Sequence, residues 1–235
     1  MSPGEKSPAK RMREIARSAG DGALVPKGFA RKELRWVKPV AEGVDWVVEV
    51  EKEKHTHSKD EIGFTVAWGV DVAGFWEIFG QQPPRHAWGC VLNGRITDLA
   101  KRPGGWWIVT SDGTTWFGSK RRPTDEQMAD DIAERLENHL MPFLSPLTSR
   151  AAVAALIERS EFLRKRGVWP SDPYRQLDHV AGLLLLDGDI DGALERVATI
   201  RARAAARGIS HRVAETTAAI ERWAAELRGD GPTVL

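Results

Sequence analysis

The most regular hydrophobic pattern in the chain lies between residues 62 and 72. Ile62, Phe64, Val66, Trp68, Val70 and Val72 alternate with Gly63, Thr65, Ala67, Gly69 and Asp71. Six apolar matches at period two define a β-strand, because on a helix these side chains would scatter around the axis. The alternate face is made of small residues, which lets a helix or a ligand approach the backbone closely. Upstream, Leu34, Trp36 and Val40 share one parity, and Trp46, Val48 and Val50 form a second strand after a turn at Ala41-Glu42-Gly43. Downstream, residues 88–92 read as a strand, Asn93-Gly94 as a two-residue hairpin turn, and residues 95–99 as its return. Residues 73–86 read as a brief helical turn and a loop, and residues 106–110 and 114–117 as another hairpin. Ahead of the strands, Met12, Ile15 and Ala16 mark one face of a short amphipathic helix, and Pro26 and Gly28 punctuate a turn into the sheet.

After Pro123 the period changes from two to 3.6. Thr124 with Gln127 makes a capping box, and Met128, Ile132, Leu136 and Leu140 form one stripe. Pro142 and Pro146 are expected to end that helix. Four more helices are expected near residues 149–166, 173–187, 190–207 and 210–228, closed by Gly167, Gly188, Gly208 and Gly229. On the last, Val213, Ile220, Trp223 and Leu227 form the expected buried stripe. Short glycine-bearing turns imply antiparallel neighbours. The fold class is therefore α+β: a meandering, mainly antiparallel sheet with a flanking N-terminal helix, then a helical C-terminal half. Residues 1–8 read as disordered, 9–145 as the sheet domain, and 146–235 as a helical region that packs on the first or stands apart.

Composition narrows the function classes. The chain has 235 residues, 42% hydrophobic and 29% charged, enough for a core without staples. One cysteine, Cys90, excludes an intramolecular disulfide and fits a reducing compartment, hence a cytoplasmic location. The polar N-terminus is not a secretory signal, and no stretch of about 18 apolar residues exists to span a membrane. Net charge is +1, but it is unevenly placed. Residues 1–40 carry +6, 41–80 carry −6, 81–123 carry +5 and 124–235 carry −4. Ten tryptophans against one tyrosine are unusual, and eight of them lie between Trp36 and Trp116. They read either as core or as the lining of a pocket or interface.

Several residues together resemble a known family. Leu24-Val25-Pro26-Lys27-Gly28-Phe29-Ala30-Arg31-Lys32, then Arg95-Ile96 with Asp98-Leu99 and Trp106-Trp107, resemble the domain-of-unknown-function family numbered 4304 over roughly residues 10–145. The resemblance implies no catalytic residues, since none are assigned in that family. Asp187-Gly188-Asp189-Ile190-Asp191-Gly192-Ala193-Leu194 is similar to the inter-helix turn of tetratricopeptide repeats, though no period of 34 is visible.

Candidate chemistry falls into three groups. His55 and His57, flanked by Glu51, Glu53, Asp60 and Glu61, offer metal-ligand types in a polar loop that reads equally as a solvated hairpin tip. Cys90, near His86 in sequence, reads as a buried inert thiol rather than a nucleophile. Arg95 and Asp98, with Lys101 and Arg102 in a glycine-bearing loop and Trp106 and Trp107 beyond it, form the cluster best suited to a ligand. The glycines let backbone amides face an anion. Basic residues interleaved with aromatics also suit single-stranded nucleic acid, but no recognised motif accompanies them. No phosphate loop, nucleophile elbow, zinc-protease helix or dinucleotide fingerprint is present, and no cofactor is expected. The reading is a non-enzymatic module that binds another protein. Binding or turnover of a small anion at Arg95, Asp98, Lys101 and Arg102 is the first alternative, and nucleic-acid association the second.

Overall fold

A computed structural model describes residues 7–53, 60–83, 85–100, 106–111, 113–116 and 122–229. Helix α1, Pro8–Leu24, is longer than its short apolar signature suggests. Ser7 caps it, accepting a hydrogen bond from the Lys10 amide, and Met12, Ile15, Ala16, Ala19, Ala23 and Leu24 are buried. Gly20 is what lets the helix lie on the sheet. A Cβ there would sit 2.2 Å from the Trp36 ring, whose indole N–H reaches Asp21 at 3.0 Å.

The strands are β1 (Ala30–Lys32), β2 (Arg35–Ala41), β3 (Val44–Lys52), β4 (Glu61–Val72), β5 (Leu92–Arg95), β6 (Trp107–Thr110) and β7 (Thr114–Trp116), all paired antiparallel. β2 to β4 form the expected meander, and β1 adds to its outer edge. The other edge of β4 is shared: β6 takes Glu61–Phe64, and β5 takes Ala67–Val70. The two faces of β4 differ as the alternation requires. Phe64, Val66, Trp68, Val70 and Val72 join α1 and the later helices in the main core. On the other face, the 3-10 turn Ala87–Gly89 lies almost on the backbone: a Cβ at Gly69 would fall 2.6 Å from the Cys90 Cβ. The small residues are thus occupied by the protein's own chain.

Two expectations in this region are corrected. Residues 88–91 are not in a strand, and Asn93-Gly94 does not turn; the pair lies inside β5, which starts at Leu92 and runs into a short helix, α2, Ile96–Leu99. The reason is tertiary. The buried Asn93 amide donates to the Trp88 and Cys90 carbonyls, at 3.1 and 2.9 Å, and Gly94 is flat beneath the Trp68 ring, 3.0 Å from where a Cβ would be. β1 carried no sequence signal. It joins β2 through a two-residue turn in which Glu33 takes a left-handed φ of 57°.

Helix α3, Asp125–Arg135, has the capping box read from Thr124 and Gln127. It continues through a π turn, Leu136–Leu140, into α4, Met141–Leu144, so Pro142 does not end it. Pro142 sits in the first turn of α4, and the wider spacing of the π turn accommodates its missing N–H. Arg11 of α1 ties this helix to the sheet, through Asp125 at 2.6 Å and the Thr110 carbonyl at 2.7 Å. The helix expected at 149–166 is broken at Arg159 into α5, Arg150–Glu158, and α6, Ser160–Arg166. Then come α7 (Pro173–Leu186), α8 (Ile190–Ala206) and α9 (Ala214–Arg228). Leu227 departs from its predicted stripe and is 50% exposed. The main core spans both halves of the chain, taking Leu147, Val153, Ile157, Leu163, Val168, Val180 and Leu183 together with the sheet. A second cluster joins Ile78 to α7, α8 and α9 through Leu185, Val197 and Ile220. No helix of the described residues is long and apolar enough to cross a membrane.

Two neighbours on α7 are buried and titratable. His179 places Nδ1 2.9 Å from the Val91 carbonyl and its ring edge against Phe75; burial lowers its pKa to about 4. Burial raises Asp178 to about 6, against the pull of Arg175 and Thr216. Protonating His179 favours the unfolded chain, so its effect is absent above pH 6.5 and costs stability as pH falls towards 4. Protonating Asp178 favours the fold, so it gains stability as pH falls from about 6 towards 3.8. Each effect is on the order of 3 kcal/mol at full extent. Urea midpoints measured from pH 7 to pH 4 are therefore expected to change little in the parent, to fall steeply in Asp178→Asn, and to rise towards low pH in His179→Asn. Gly69→Ala should cost about 1–3 kcal/mol by forcing the 87–89 turn off the sheet. Gly22→Ala, which meets nothing within 4 Å on α1, should stabilise the fold by about 0.5–1 kcal/mol in the same assay.

Candidate functional site

The shared edge of β4 generates the site. Arg95 pairs with Ala67, and Trp107 with Phe64. The antiparallel register therefore sets Trp106 level with Thr65, two residues from Ala67 and on the same face. Trp88 is carried to this face by the 87–89 turn. The Arg95 guanidinium lies between the two indoles, 5.2 Å from the Trp88 ring centre and 5.1 Å from that of Trp106. Both contacts are cation–π attractions. Arg95 makes no ion pair among the described residues, and its buried Nε finds no hydrogen-bond partner. The Oγ1 atoms of Thr65 and Thr97 are also buried and unpartnered. The guanidinium is planar by resonance, and contact with two rings fixes its orientation, which suits receipt of a carboxylate or phosphate with two parallel hydrogen bonds.

Asp98 positions this arginine. Its carboxylate accepts from the Arg95 amide at 3.3 Å, at the start of α2, and sits against Gly167, where a Cβ would lie 3.2 Å away. Burial raises its pKa, opposed by the Arg95 amide and charge. Trp107 is a correction. Successive residues point to opposite faces, so Trp107 is fully buried in the main core, 5.6 Å from Phe64 and with its indole N–H towards Asp131. Lys101 and Arg102 lie outside the described residues, as do His55 and His57. Among the described residues, no group of three or more His, Cys, Asp or Glu side chains could hold a metal ion.

Three site residues escaped the sequence reading, and Trp88 of the clamp is the first. Trp169 forms an antiparallel bridge with Asn93, with N–O distances of 3.1 and 2.7 Å, and so shares the face of Asn93 and Arg95. Trp88 and Trp169 are 36% and 39% exposed, unlike the buried Trp36, Trp46, Trp68 and Trp107. The signal available in the sequence was a tryptophan beside a proline, far from the other nine. Asn93 is the third: its buried amide fixes the Trp88 turn, and its backbone fixes Trp169.

Cys90 is 1% exposed, and burial, reinforced by the Asp71 carboxylate, pushes its thiol far up. The His86 imidazole bonds to Glu49 at 2.9 Å, and the thiol meets only the His86 backbone carbonyl, to which it donates at 3.9 Å. A comparison of the chain with protein-family models, with curated proteins and with solved structures finds no significant match in any of the three. Cys90 is expected to resist a disulfide-exchange reagent in the folded protein and to react within minutes once urea unfolds it; a fast native reaction would show a breathing turn at residues 87–90.

Proposed function

We propose that the chain is a binding module, without chemistry of its own, that docks an acidic segment of a partner protein against Arg95. The observation that carries this reading is the Arg95 guanidinium gripped by Trp88 and Trp106, with no ion pair among the described residues. Tryptophan and arginine are the residue types that dominate binding energy at protein interfaces, because each brings a large rigid surface with a polar edge. Trp169 extends the same face beyond Asn93. A partner carboxylate would take the terminal N–H groups while apolar atoms cover the indoles, displacing water from both.

The probe is a glutamate-rich peptide containing one leucine, titrated calorimetrically against the parent, Arg95→Ala and Trp88→Ala. Arg95→Ala should weaken binding at least tenfold, and Trp88→Ala severalfold by releasing the clamp, with circular dichroism unchanged in both. Equal binding by Arg95→Ala would refute the reading. Equal affinity of the Arg95 site for free citrate would replace the partner protein with a small anion.

A further inference from the structure

A second anion site is built on a different part of the molecule. An open cleft of about 870 Å³ lies between the exposed side of α1 and the ends of β2 and β3. Its size falls within the range of small-ligand sites, roughly 300–1,000 Å³. Arg13 and Arg17 form one wall; Lys32, Arg35, Lys52 and Arg85 come from the other side, and Glu33 and Glu49 are its carboxylates.

The charges in the cleft do not cancel. Glu49 is committed three times: to Arg35 at 3.9 Å, to His86 at 2.9 Å and to the Ala87 amide at 3.0 Å. Arg35 is committed to Glu49 and to the Arg85 carbonyl. Arg13, Arg17, Lys32, Lys52 and Arg85 form no ion pair among the described residues, and Glu33 alone faces them as an uncommitted carboxylate. The chain as a whole carries +1, so this density does not reflect a general excess of base. Five cations gathered around one cavity repel one another and lower the stability of the folded state until an anion enters.

The placement of the groups says what kind of anion. Arg13 and Arg17 stand four residues apart on α1, about 6 Å from one another along one face, and can hold one anionic group between them. Lys32 comes from the end of β1 and Lys52 from the end of β3, so they meet other charges on the same ligand. Leu34 and Val50 supply an apolar floor, fixed by the Val50 amide donating to the Leu34 carbonyl at 3.0 Å. Arginine forks suit phosphate oxygens, and five cations without an ion pair among the described residues call for several negative charges in a small volume.

We infer that this cleft binds a small molecule carrying two or more linked phosphate groups, independently of the Arg95 face. A nucleic-acid strand suits it less: these cations gather around one cleft rather than along a track, and the block of residues 41–80 carries −6.

The test uses inorganic phosphate, pyrophosphate and tripolyphosphate with the whole chain, read by calorimetry and thermal unfolding. Affinity should rise with each added phosphate, at one site per chain, and tripolyphosphate should raise the unfolding midpoint by several degrees. Arg13→Gln with Arg17→Gln should weaken tripolyphosphate binding at least tenfold, while the ligand-free variant unfolds at or above the parent's midpoint because repulsion is relieved. Lys32→Gln should weaken binding severalfold. Arg95→Ala should leave it unchanged, which separates this site from the protein-docking face. Absence of a heat signal and of a midpoint shift, or unaltered binding by the double variant, overturns the assignment. Tighter binding of a 15-nucleotide single strand than of tripolyphosphate, lost in the same double variant, overturns the ligand class in favour of nucleic acid.

Discussion

Strand β4 must satisfy two unlike demands at once, and the rest of the molecule is arranged around that constraint. Its large face needs a deep apolar cover, and α1, α3 and the helices beyond supply it. Its small face admits only what can come within van der Waals contact of a backbone. The turn at Ala87–Gly89 and Cys90 fill that space so closely that Gly69 has no room for a side chain. Because β4 is long, its second edge is divided between β5 and β6, and the division leaves a step in the sheet at Thr65.

That step is where the polar chemistry collects. Arg95 ends one half-edge and Trp106 precedes the other, so register alone brings a cation to an indole. Asn93 completes the assembly from beneath. Its amide satisfies two carbonyls of the turn that carries Trp88, and its backbone anchors Trp169. Buried polar groups of this kind fix a unique arrangement because leaving any of them unpaired is costly. Thr65 Oγ1 and Arg95 Nε remain buried without partners beside it.

The uneven charge along the chain also acquires a spatial meaning. The acidic block of residues 41–80 supplies Glu49, which neutralises Arg35 and orders His86. The basic N-terminal block is not neutralised to the same degree. Folding brings its Arg13, Arg17 and Lys32 to a common cleft with Lys52 and Arg85 from later segments. Arg11, two residues before Arg13, is instead consumed by Asp125 and the Thr110 carbonyl. Neighbouring arginines on one helix therefore serve opposite purposes, according to the face of α1 they occupy.

The sequence by itself determined the parts that follow from periodicity and local hydrogen bonding. The six-fold alternation of β4, the capping box at Thr124, the glycine stops at Gly167 and Gly229, and the closeness permitted by Gly69 are all properties of a few successive residues. It also brought Arg95, Asp98 and Trp106 together, because they lie within twelve positions of one another. Tertiary structure alone decided the rest. Asn93-Gly94 has the composition of a turn, yet lies in a strand because Trp68 and the Trp88 turn claim its atoms. Trp107 is as aromatic as Trp106, but the pleat sends it to the opposite face. Trp169 and the basic cleft were invisible because their members are separated by tens of residues. A local pattern records which way a side chain leaves its own element; only pairing and packing decide which distant side chains it will meet.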